Sequence, residues 1–455
     1  MKIFLAVFIC KLLYFIGKRV GKGSSLPGKI VLRLFPDVLG RLRLPDTIIA
    51  VTGSNGKTTT TELIVHALEV NGMSVGWNYE GSNQTEGVAT LLLRIASFGG
   101  VVKRDAIVME CDERYAKKIF ENVCPSVLLV TNLCRDQLSR NGHHEFIEDC
   151  LRAAINVCRK GKTLLVLNAD DPYVSALADG DVLWFGVGET ESEADNTKVN
   201  GIYDDGAFCP VCKGRMTYSY RIAGHYGSYC CSDCGHKRND PEIEVTMTKG
   251  DSTQGNGCLV FACDASSEIS TSLNVKLPGV TASYNFCAAV AVAKASGISV
   301  SDSIRALDNY ELKSGRVTGL SVNNRSGLLL LSKHENSFAY NASLSWVTSQ
   351  NISCTVIILV DAISRKYYTS ETSWLWDIDF DLLVDDNVKH IVLAGQYVSK
   401  LKERFTISAV DQTKIGYISD LNDLRGYIEN NTSGEIYALT CFSDKAKLLN
   451  ALGNL

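Results

Sequence analysis

Short apolar runs separated by longer amphipathic stretches dominate the first part of the chain. The runs lie at residues 47–51, 75–77, 106–109, 126–130 and 163–167. Buried parallel strands have this length and this continuous apolarity, and the segments between the runs are long enough for crossover helices. The pattern therefore predicts an α/β fold, a doubly wound parallel sheet with helices on both faces.

A second set of apolar runs, at residues 328–331, 356–360 and 390–394, predicts another α/β unit. Before it, residues 284–293 form a helical stretch of mostly small residues, which we expect to be buried against the first unit. We predict an N-terminal helical segment (1–45), a central nucleotide-binding domain (46–311) and a C-terminal α/β domain (312–455). An insertion is expected in the central domain at about 203–240.

The strongest motif is TGSNGKTTT at residues 52–60, which follows the first predicted strand and opens a helix. Glycines let backbone N–H groups turn towards phosphates, and a helix N-terminus favours negative charge. In such a loop a lysine reaches the β- and γ-phosphates and a threonine hydroxyl holds Mg²⁺. The spacing is a variant, because Val51 stands five residues before Gly56 and Gly53 is the first glycine. The predicted ATP- and Mg²⁺-binding residues here are Gly53, Asn55, Gly56, Lys57, Thr58 and Thr59.

Polar residues follow each strand of the predicted central sheet. They occupy 78–83, 110–113, 131–137 and 168–172, and include Glu110 directly after the strand at 106–109. Ligands of such sheets bind at the carboxyl ends of the strands, and carboxylate oxygens are the ligands that Mg²⁺ prefers. The pattern indicates an enzyme that uses Mg²⁺ and ATP.

Four of the sixteen cysteines have the spacing of a zinc site. Cys209 and Cys212 form one C-x₂-C pair, and Cys231 and Cys234 form another. Cys230 is an alternative to Cys231, but only Cys231 keeps the two-residue spacing. Four thiolates leave no open position for water, so we predict a structural Zn²⁺. The other cysteines are scattered singly, which indicates reduced thiols in the cytoplasm.

Composition restricts the partners. The formal net charge of −4 over 455 residues, without a long basic run, gives no reason to expect nucleic acid. The N-terminal apolar stretch is interrupted by Lys11 and is shorter than the roughly 20 residues of a membrane span. It lacks a signal-peptide cleavage site. Two alternatives stay open: a helix packed on the protein body, which its poor polar face favours, or peripheral contact with an anionic membrane surface through the basic residues that follow.

These motifs together resemble the MurT group of the Mur ligase family, the ligase subunits of lipid II isoglutaminyl synthases. The resemblance covers nearly the whole chain and is carried by TGSNGKTTT, GSNQTEGVATLLL, VMECDE, VTNLCRDQLSRNG, LVLNADDP, the four-cysteine ribbon, LPG with the later YN, and SWLWD. It implies a Mur-ligase-like ATPase domain with an inserted zinc ribbon and a C-terminal domain of the MurT type.

The resemblance also implies a reaction and a partner. The reaction is ATP-dependent amidation of the α-carboxyl of D-glutamate in lipid II, in peptidoglycan biosynthesis, through an acyl phosphate. The ammonia would come from a GatD-like glutaminase in a heterodimer. The implied location is the cytoplasm, with the inner face of the cell membrane as the alternative that the N-terminal helix leaves open.

Site residues carried over by the resemblance extend beyond the phosphate loop. Lys57 would contact phosphates, Thr58 and Glu110 would serve Mg²⁺, and Asn285 and Arg316 would contact the nucleotide. The residues expected to shape the acceptor side of the cleft are Gly81, Asn83, Asn132 and Asp136.

The sequence departs from the family downstream. Thr281 and Ala282 replace an expected Asn–aromatic element, and residues 332–335 and 363–371 differ from the usual stretches. In the family an aspartate of the C-terminal domain is thought to complete the catalytic triad of the glutaminase. Here the candidate acids are Glu371, Asp377 and Asp361.

These departures keep two alternatives open. One is a divergent Mur-type ligase that joins a different amine to a carboxylate acceptor. The other is a non-catalytic ATP-binding scaffold whose ribbon docks a partner.

Overall fold

The computed structural model describes the chain except for residues 20–23, 137–141, 160, 190–198, 200–201, 223–225, 249–256, 264–270, 276–279, 314–316, 334, 362–371 and 455. Two predicted site residues, Arg316 and Glu371, lie outside the described residues, as does the altered segment 363–371. Their roles stay predictions.

The secondary structure alternates strands and helices as the apolar pattern predicted. The helices are α1 (Lys2–Arg19), α2 (Leu26–Leu34), α3 (Lys57–Val70), α4 (Thr85–Ile95), α5 (Glu113–Phe120), α6 (His144–Cys158), α7 (Pro172–Ser175), α8 (Val280–Ala295), α9 (Val300–Leu307), α10 (Ser337–Ser349), α11 (Val398–Phe405), α12 (Leu424–Asn431) and α13 (Lys445–Leu452). A short 3-10 helix spans Ser373–Asp377.

The strands include all eight predicted runs, with bounds that shift by up to three residues. They are β1 (Thr47–Thr52), β2 (Val75–Trp77), β3 (Ala106–Glu110), β4 (Val127–Val130), β5 (Leu164–Asn168), β6 (Val182–Val187), β7 (Met216–Arg221), β8 (Gly227–Cys231), β9 (Ile243–Thr248), β10 (Gly257–Cys263), β11 (Thr271–Val275), β12 (Val317–Val322), β13 (Arg325–Ser332), β14 (Cys354–Leu359), β15 (Val388–Ala394), β16 (Ile415–Ile418) and β17 (Glu435–Cys441).

The larger sheet carries the phosphate loop at its centre. Its order in the described residues is β11-β10-β9-β6-β5-β4-β1-β3-β2. From β9 to β2 in this order, each strand is parallel to its neighbour. At the other edge, β10 pairs with β9 and β11 pairs with β10, both in antiparallel orientation. The predicted doubly wound parallel sheet is therefore confirmed, with an antiparallel edge that the apolar runs had not indicated.

Burial on both faces explains why β1 reads as a continuous apolar run. Ile48 and Ala50 belong to one core cluster, and Ile49 and Val51 belong to the other, so successive side chains enter opposite layers. The register then places Val51 beside Glu110 of β3 and Thr52 beside Val130 of β4. As a result, the polar residues after β3 and β4 flank the phosphate loop.

Helix α8 is buried against the central sheet, as its small residues predicted. Its side chains from Phe286 to Ala293 are at most 1% exposed, and it packs against α3, β6 and β9. Small side chains allow this close approach of backbones.

The second sheet has the order β12-β13-β17-β14-β15-β16, with all pairs parallel except β12 with β13. Two further core clusters cover its faces. A separate antiparallel hairpin, β7 with β8, carries the cysteine region. The second predicted α/β unit is therefore present.

Helix α1 packs against α2 and α4 through Ala6, Val7, Cys10 and Gly17, which are buried. This packing confirms the alternative in which the N-terminal helix packs on the protein body. A second face of the same helix remains exposed. Within the described ranges, none of the helices combines the length and apolarity needed to cross a bilayer.

Candidate active site

The phosphate loop, residues 53–58, lies between the end of β1 and the start of α3. Gly53 and Gly56 have φ of +119° and +81°, a conformation that side chains disfavour. A Cβ on Gly53 would also lie 2.3 Å from Thr131 Oγ1, and one on Gly56 would lie 2.3 Å from Asn285 Oδ1. Both positions therefore require glycine, and Gly56 forms the N-terminal boundary of α3.

Lys57 is buried and paired within the loop region. Its ammonium donates to Glu113 Oε1 at 2.6 Å and also to the carbonyl of Gly53. Only 6% of either charged side chain is exposed. Burial alone would lower the pKa of Lys57, but the carboxylates of Glu113, Asp136 and Glu110 outweigh it and raise that pKa. The lysine is therefore a cation held beside the loop.

Glu110 links the phosphate loop to residues 78–83, which we name the substrate loop after the role that the resemblance implies. Its Oε2 accepts a hydrogen bond from Thr58 Oγ1 at 2.8 Å, and its Oε1 accepts one from Asn83 Nδ2 at 2.9 Å. Asn78 fixes the same residue by two hydrogen bonds to the Glu110 backbone, both 2.9 Å long. The carboxylate is thus held in one position at the end of β3.

The residues after β4 support the other side of the loop. Asn132 Oδ1 accepts from the Asn55 N–H at 2.9 Å, and Thr131 Oγ1 donates to the Asn55 carbonyl at 2.7 Å. The Asn55 side chain donates to Cys134 Sγ. These contacts fix the backbone and the side chain of Asn55 within the loop.

Two residues of the C-terminal unit reach the phosphate loop, and the sequence had not identified them as site residues. Lys333, directly after β13, donates to the Ser54 carbonyl at 3.2 Å and lies 3.7 Å from Asp136. Asn336, at the start of α10, donates to Asn55 Oδ1 at 2.6 Å and Asp136 Oδ1 at 2.8 Å. The position of Lys333 directly after a strand is the signal that could have found it.

A cavity between the two sheets opens onto the loop. Its wall combines Thr59 and Asn285 with the aromatic residues Tyr226, Tyr284 and Trp346. Asn285 Oδ1 accepts from Thr60 Oγ1 at 3.2 Å, which brings α8 to the phosphate loop. An apolar wall with a few polar groups beside a phosphate loop suits the base and ribose of a nucleotide.

Three further predicted site residues are Gly81, Asp361 and Asp377. Gly81 forms the turn of the substrate loop with φ of +70°. Asp361, after β14, forms an ion pair with Lys447 and accepts from the Gln396 N–H. Burial would raise the pKa of Asp361, but these contacts outweigh it and lower that pKa.

Asp377 faces the junction between the two sheets. Burial raises its pKa, and the Arg135 guanidinium offsets part of that rise. Arg135 in turn donates to Asp205 at 2.8 Å and lies 3.8 Å from the centre of the Tyr203 ring. The structure therefore brings Asp377 towards the base of the insertion, and Asp361 and Asp377 do not join the Glu110 cluster.

The four predicted zinc ligands come together on the β7–β8 hairpin. The sulfur atoms of Cys209, Cys212, Cys231 and Cys234 all lie within 4.8 Å of one another. The distances are 3.6 Å between Cys209 and Cys234 and 3.5 Å between Cys212 and Cys231. Sulfur ligands about 2.3 Å from Zn²⁺ form a tetrahedron with edges of about 3.8 Å, so this donor set fits that ion.

Comparison with protein families agrees with this geometry. Residues 51–229 match the Mur ligase middle domain, and residues 333–444 match the MurT ligase C-terminal domain. The chain is 28% identical over 433 residues to the MurT subunit of the glutamine-hydrolysing lipid II isoglutaminyl synthase of Streptococcus pneumoniae, covering 94% of this chain and 92% of the relative. It is 27% identical over 415 residues to the corresponding Staphylococcus aureus subunit, covering 89% of this chain and 88% of that relative.

Solved structures show the same fold at low identity. A pseudomurein peptide ligase type C from Methanothermus fervidus superposes with a TM-score of 0.69 at 18% identity, covering 93% of this chain and 84% of that one. MurF from Acinetobacter baumannii superposes with a TM-score of 0.65 at 17% identity, covering 93% of this chain and 80% of that one. The chain therefore carries a segment that matches the Mur ligase middle domain and one that matches the MurT ligase C-terminal domain, is similar to MurT subunits along nearly its whole length, and is an ATP-dependent ligase.

Proposed function

We propose that this protein amidates the α-carboxyl of D-glutamate in lipid II, giving D-isoglutamine for peptidoglycan, with ATP, Mg²⁺ and ammonia from a GatD-like glutaminase. The observation that carries the proposal is the Glu110 carboxylate, which is bonded to Thr58 of the phosphate loop and Asn83 of the substrate loop. One carboxylate at the boundary of both loops suits a site where a phosphate meets an acceptor.

The proposed chemistry has two steps. A carboxylate oxygen of the acceptor attacks the γ-phosphorus of ATP, the bond to the bridging oxygen breaks, and ADP leaves with an acyl phosphate formed. Ammonia then attacks the acyl carbon, loses a proton, and inorganic phosphate leaves. The protein mainly has to position the reactants and neutralise charge in such a transfer.

Thr58 and Glu110 are the residues that would hold Mg²⁺, because their oxygens already lie 2.8 Å apart at the loop. The ion would neutralise phosphate charge. Lys57 of the central domain and Lys333 and Asn336 of the C-terminal domain lie at the same loop and would act on the phosphates together. Gly81, Asn83, Asn132 and Asp136 would line the acceptor side, with Asn285 and Arg316 on the nucleotide.

The glutaminase would dock on the C-terminal domain. Trp376 is 47% exposed in the 3-10 helix Ser373–Asp377, where an aromatic side chain can anchor a partner. Glu371, Asp377 and Asp361 are the acids available to orient a catalytic histidine of that partner. Asp361 already has Lys447 as its counter-ion and Asp377 faces Arg135, so Glu371 is the candidate that we would test first.

The cysteine ribbon would hold a structural Zn²⁺ through Cys209, Cys212, Cys231 and Cys234. All four ligand positions are then occupied by sulfur, so the ion has no place in the transfer reaction.

A reconstitution tests the function. The purified chain is combined with ATP–Mg²⁺, amide-¹⁵N glutamine, the lipid-linked precursor and the glutaminase that copurifies from the native host. We expect ¹⁵N in the product and loss of labelling with Lys57→Ala. ATP turnover stimulated by a free amino acid, without any copurifying glutaminase, would instead favour the divergent ligase. Absence of acceptor-dependent phosphate release would leave only the ATP-binding scaffold.

A further inference from the structure

Helix α1 presents a continuous apolar face to solvent. Phe4, Phe8 and Phe15 are 54%, 46% and 57% exposed, and they recur at helical spacing. Phe98, in the segment after α4, is 47% exposed, and its ring centre lies 5.2 Å from that of Phe4. We call this set the α1 face: Met1, Phe4, Leu5, Phe8, Leu12, Phe15, Ile16 and Phe98. Contiguous exposed apolar surface of this kind marks an interaction site.

The segment around the α1 face carries one sign of charge. Residues 1–36 contain seven Lys and Arg and no Asp or Glu, in a chain whose formal net charge is −4. Five of the seven have exposed side chains: Lys2, Lys18, Arg19, Lys29 and Arg33. The Arg19 guanidinium lies 4.3 Å from the Phe15 ring centre, and the Lys11 ammonium lies 5.2 Å from that of Phe98. Cations therefore border the aromatic residues directly.

We propose that the α1 face lies in the headgroup region of an anionic bilayer, with the helix parallel to the membrane plane. Apolar side chains would enter the acyl boundary, and the basic side chains would meet acidic headgroups. A second copy of this chain is a poorer occupant, because pairing two such faces would bring two sets of seven cations together.

The same helix contacts the substrate loop. Tyr14 Oη lies 2.7 Å from Tyr79 Oη and donates to Glu80 Oε1 at 2.7 Å. The Arg94 guanidinium lies 5.0 Å from the ring centres of both Tyr14 and Tyr79. A helix resting on the bilayer would thus hold this loop close to the headgroups. If the acceptor is lipid-linked, as in the proposed function, this contact would present the acceptor side of the cleft to the membrane.

Vesicle cosedimentation of the full-length protein tests the proposal. We expect binding to vesicles that contain phosphatidylglycerol and much weaker binding to phosphatidylcholine alone. The double variants Phe8→Glu/Leu12→Glu and Lys18→Glu/Arg19→Glu should each lower the partition coefficient by at least about tenfold, since each basic residue contributes roughly fivefold at such a surface. The matched controls, Ile407→Glu and Lys400→Glu at exposed positions of the C-terminal domain, should bind like the wild type.

A second measurement covers variants that fold poorly. In Phe8→Trp, brominated lipids should quench the added tryptophan emission, whereas in Ile407→Trp they should not. Equal quenching in both proteins, or equal vesicle binding by face and control variants, would overturn the proposal. So would a dimer that dissociates in the face variants without any vesicle binding. Amidation of a detergent-solubilised acceptor by the same variants is measured separately, so the membrane proposal and the proposed function can fail independently.

Discussion

The ammonium of Lys57 and the carboxylate of Glu113 lie 2.6 Å apart in a buried ion pair beside the phosphate loop. Glu113 therefore supplies a counter-ion to the lysine that the loop motif assigns to phosphates. In the proposed function, bound phosphates would offer the lysine a second source of negative charge.

We predict that Glu113→Gln lowers the free energy of unfolding by about 3 kcal/mol without nucleotide, because it leaves a buried cation unpaired. ATP–Mg²⁺ should restore more stability in this variant than in the wild type, since phosphates would replace the missing charge. Urea unfolding with and without nucleotide measures both effects. Glu429→Gln, which breaks the exposed pair with Arg425, should cost less than about 0.5 kcal/mol. Equal nucleotide-induced shifts in the wild type and Glu113→Gln would contradict the pairing argument.

Glu110→Gln should lower the rate of acceptor-dependent phosphate release by about 100-fold or more, because it removes a charge that the proposed Mg²⁺ site needs. Thr58→Ala should act in the same direction, and Thr58→Ser should keep most of the activity because the hydroxyl remains. Rates measured over a range of Mg²⁺ concentrations check this. A fully active Glu110→Gln enzyme would refute the assignment.

Asn336→Asp should weaken the closure of the two domains. Aspartate can still accept the N–H of Ala339 at the start of α10, but it cannot donate to Asn55 and it repels Asp136. We expect kcat/KM for ATP to fall by roughly 10- to 100-fold, as lost hydrogen bonds to charged groups predict, with a nearly unchanged melting temperature. Small-angle scattering should show a larger radius. Asn430→Asp, at an exposed position of α12, is the control, and equal kinetics in both would count against the closure.

Cys212→Ser should lower the bound zinc from about one ion per chain and reduce the melting temperature, because metal binding stabilises such a hairpin. Cys230→Ser is the matched control, since Cys230 is exposed and lies outside the four-sulfur cluster. Elemental analysis after purification under reducing conditions gives the metal content. Equal zinc in the two variants would exclude Cys212 as a ligand.

The stability of the protein should fall in mild acid because of His144. Burial, together with the neighbouring His143, lowers the pKa of His144 to about 4. Unfolded histidine titrates near pH 6.5, so the unfolded chain binds more protons between these values. The contribution of the neutral imidazole is therefore full above pH 6.5 and is lost as the pH falls towards 4. His144→Phe should flatten this part of the urea-midpoint profile. His143→Asn removes only the smaller cause of the lowered pKa, so it should keep most of the slope. A wild-type slope in His144→Phe would contradict the role of His144.

Local patterns predicted much of this fold. The apolar runs found β1 to β5 because buried parallel strands leave an uninterrupted signal, and the rule of polar strand ends found Glu110. The same rule extends to β13, because Lys333 follows the end of that strand directly. Glu113 was not singled out because an acid in the first turn of a helix usually serves only the helix dipole.

Other features depended on contacts between distant segments. Asn336 meets Asn55 only because the second sheet closes on the first, which no local pattern encodes. The exposed face of α1 could not be predicted from the sequence either. A helix that is apolar on all sides does not show which side its neighbours leave exposed.

The cysteine hairpin is built into the body of the protein. Tyr226 donates to the Leu133 carbonyl at 2.8 Å and, with Ile222, forms part of the cavity wall. His236 contacts the Pro172 carbonyl, and Lys213 pairs with Glu145. An engineer who excised residues 203–240 to obtain a minimal enzyme would thus open the cavity beside the phosphate loop to solvent. The segment that carries the four cysteines is therefore also a wall of the cavity, and it cannot be removed by itself.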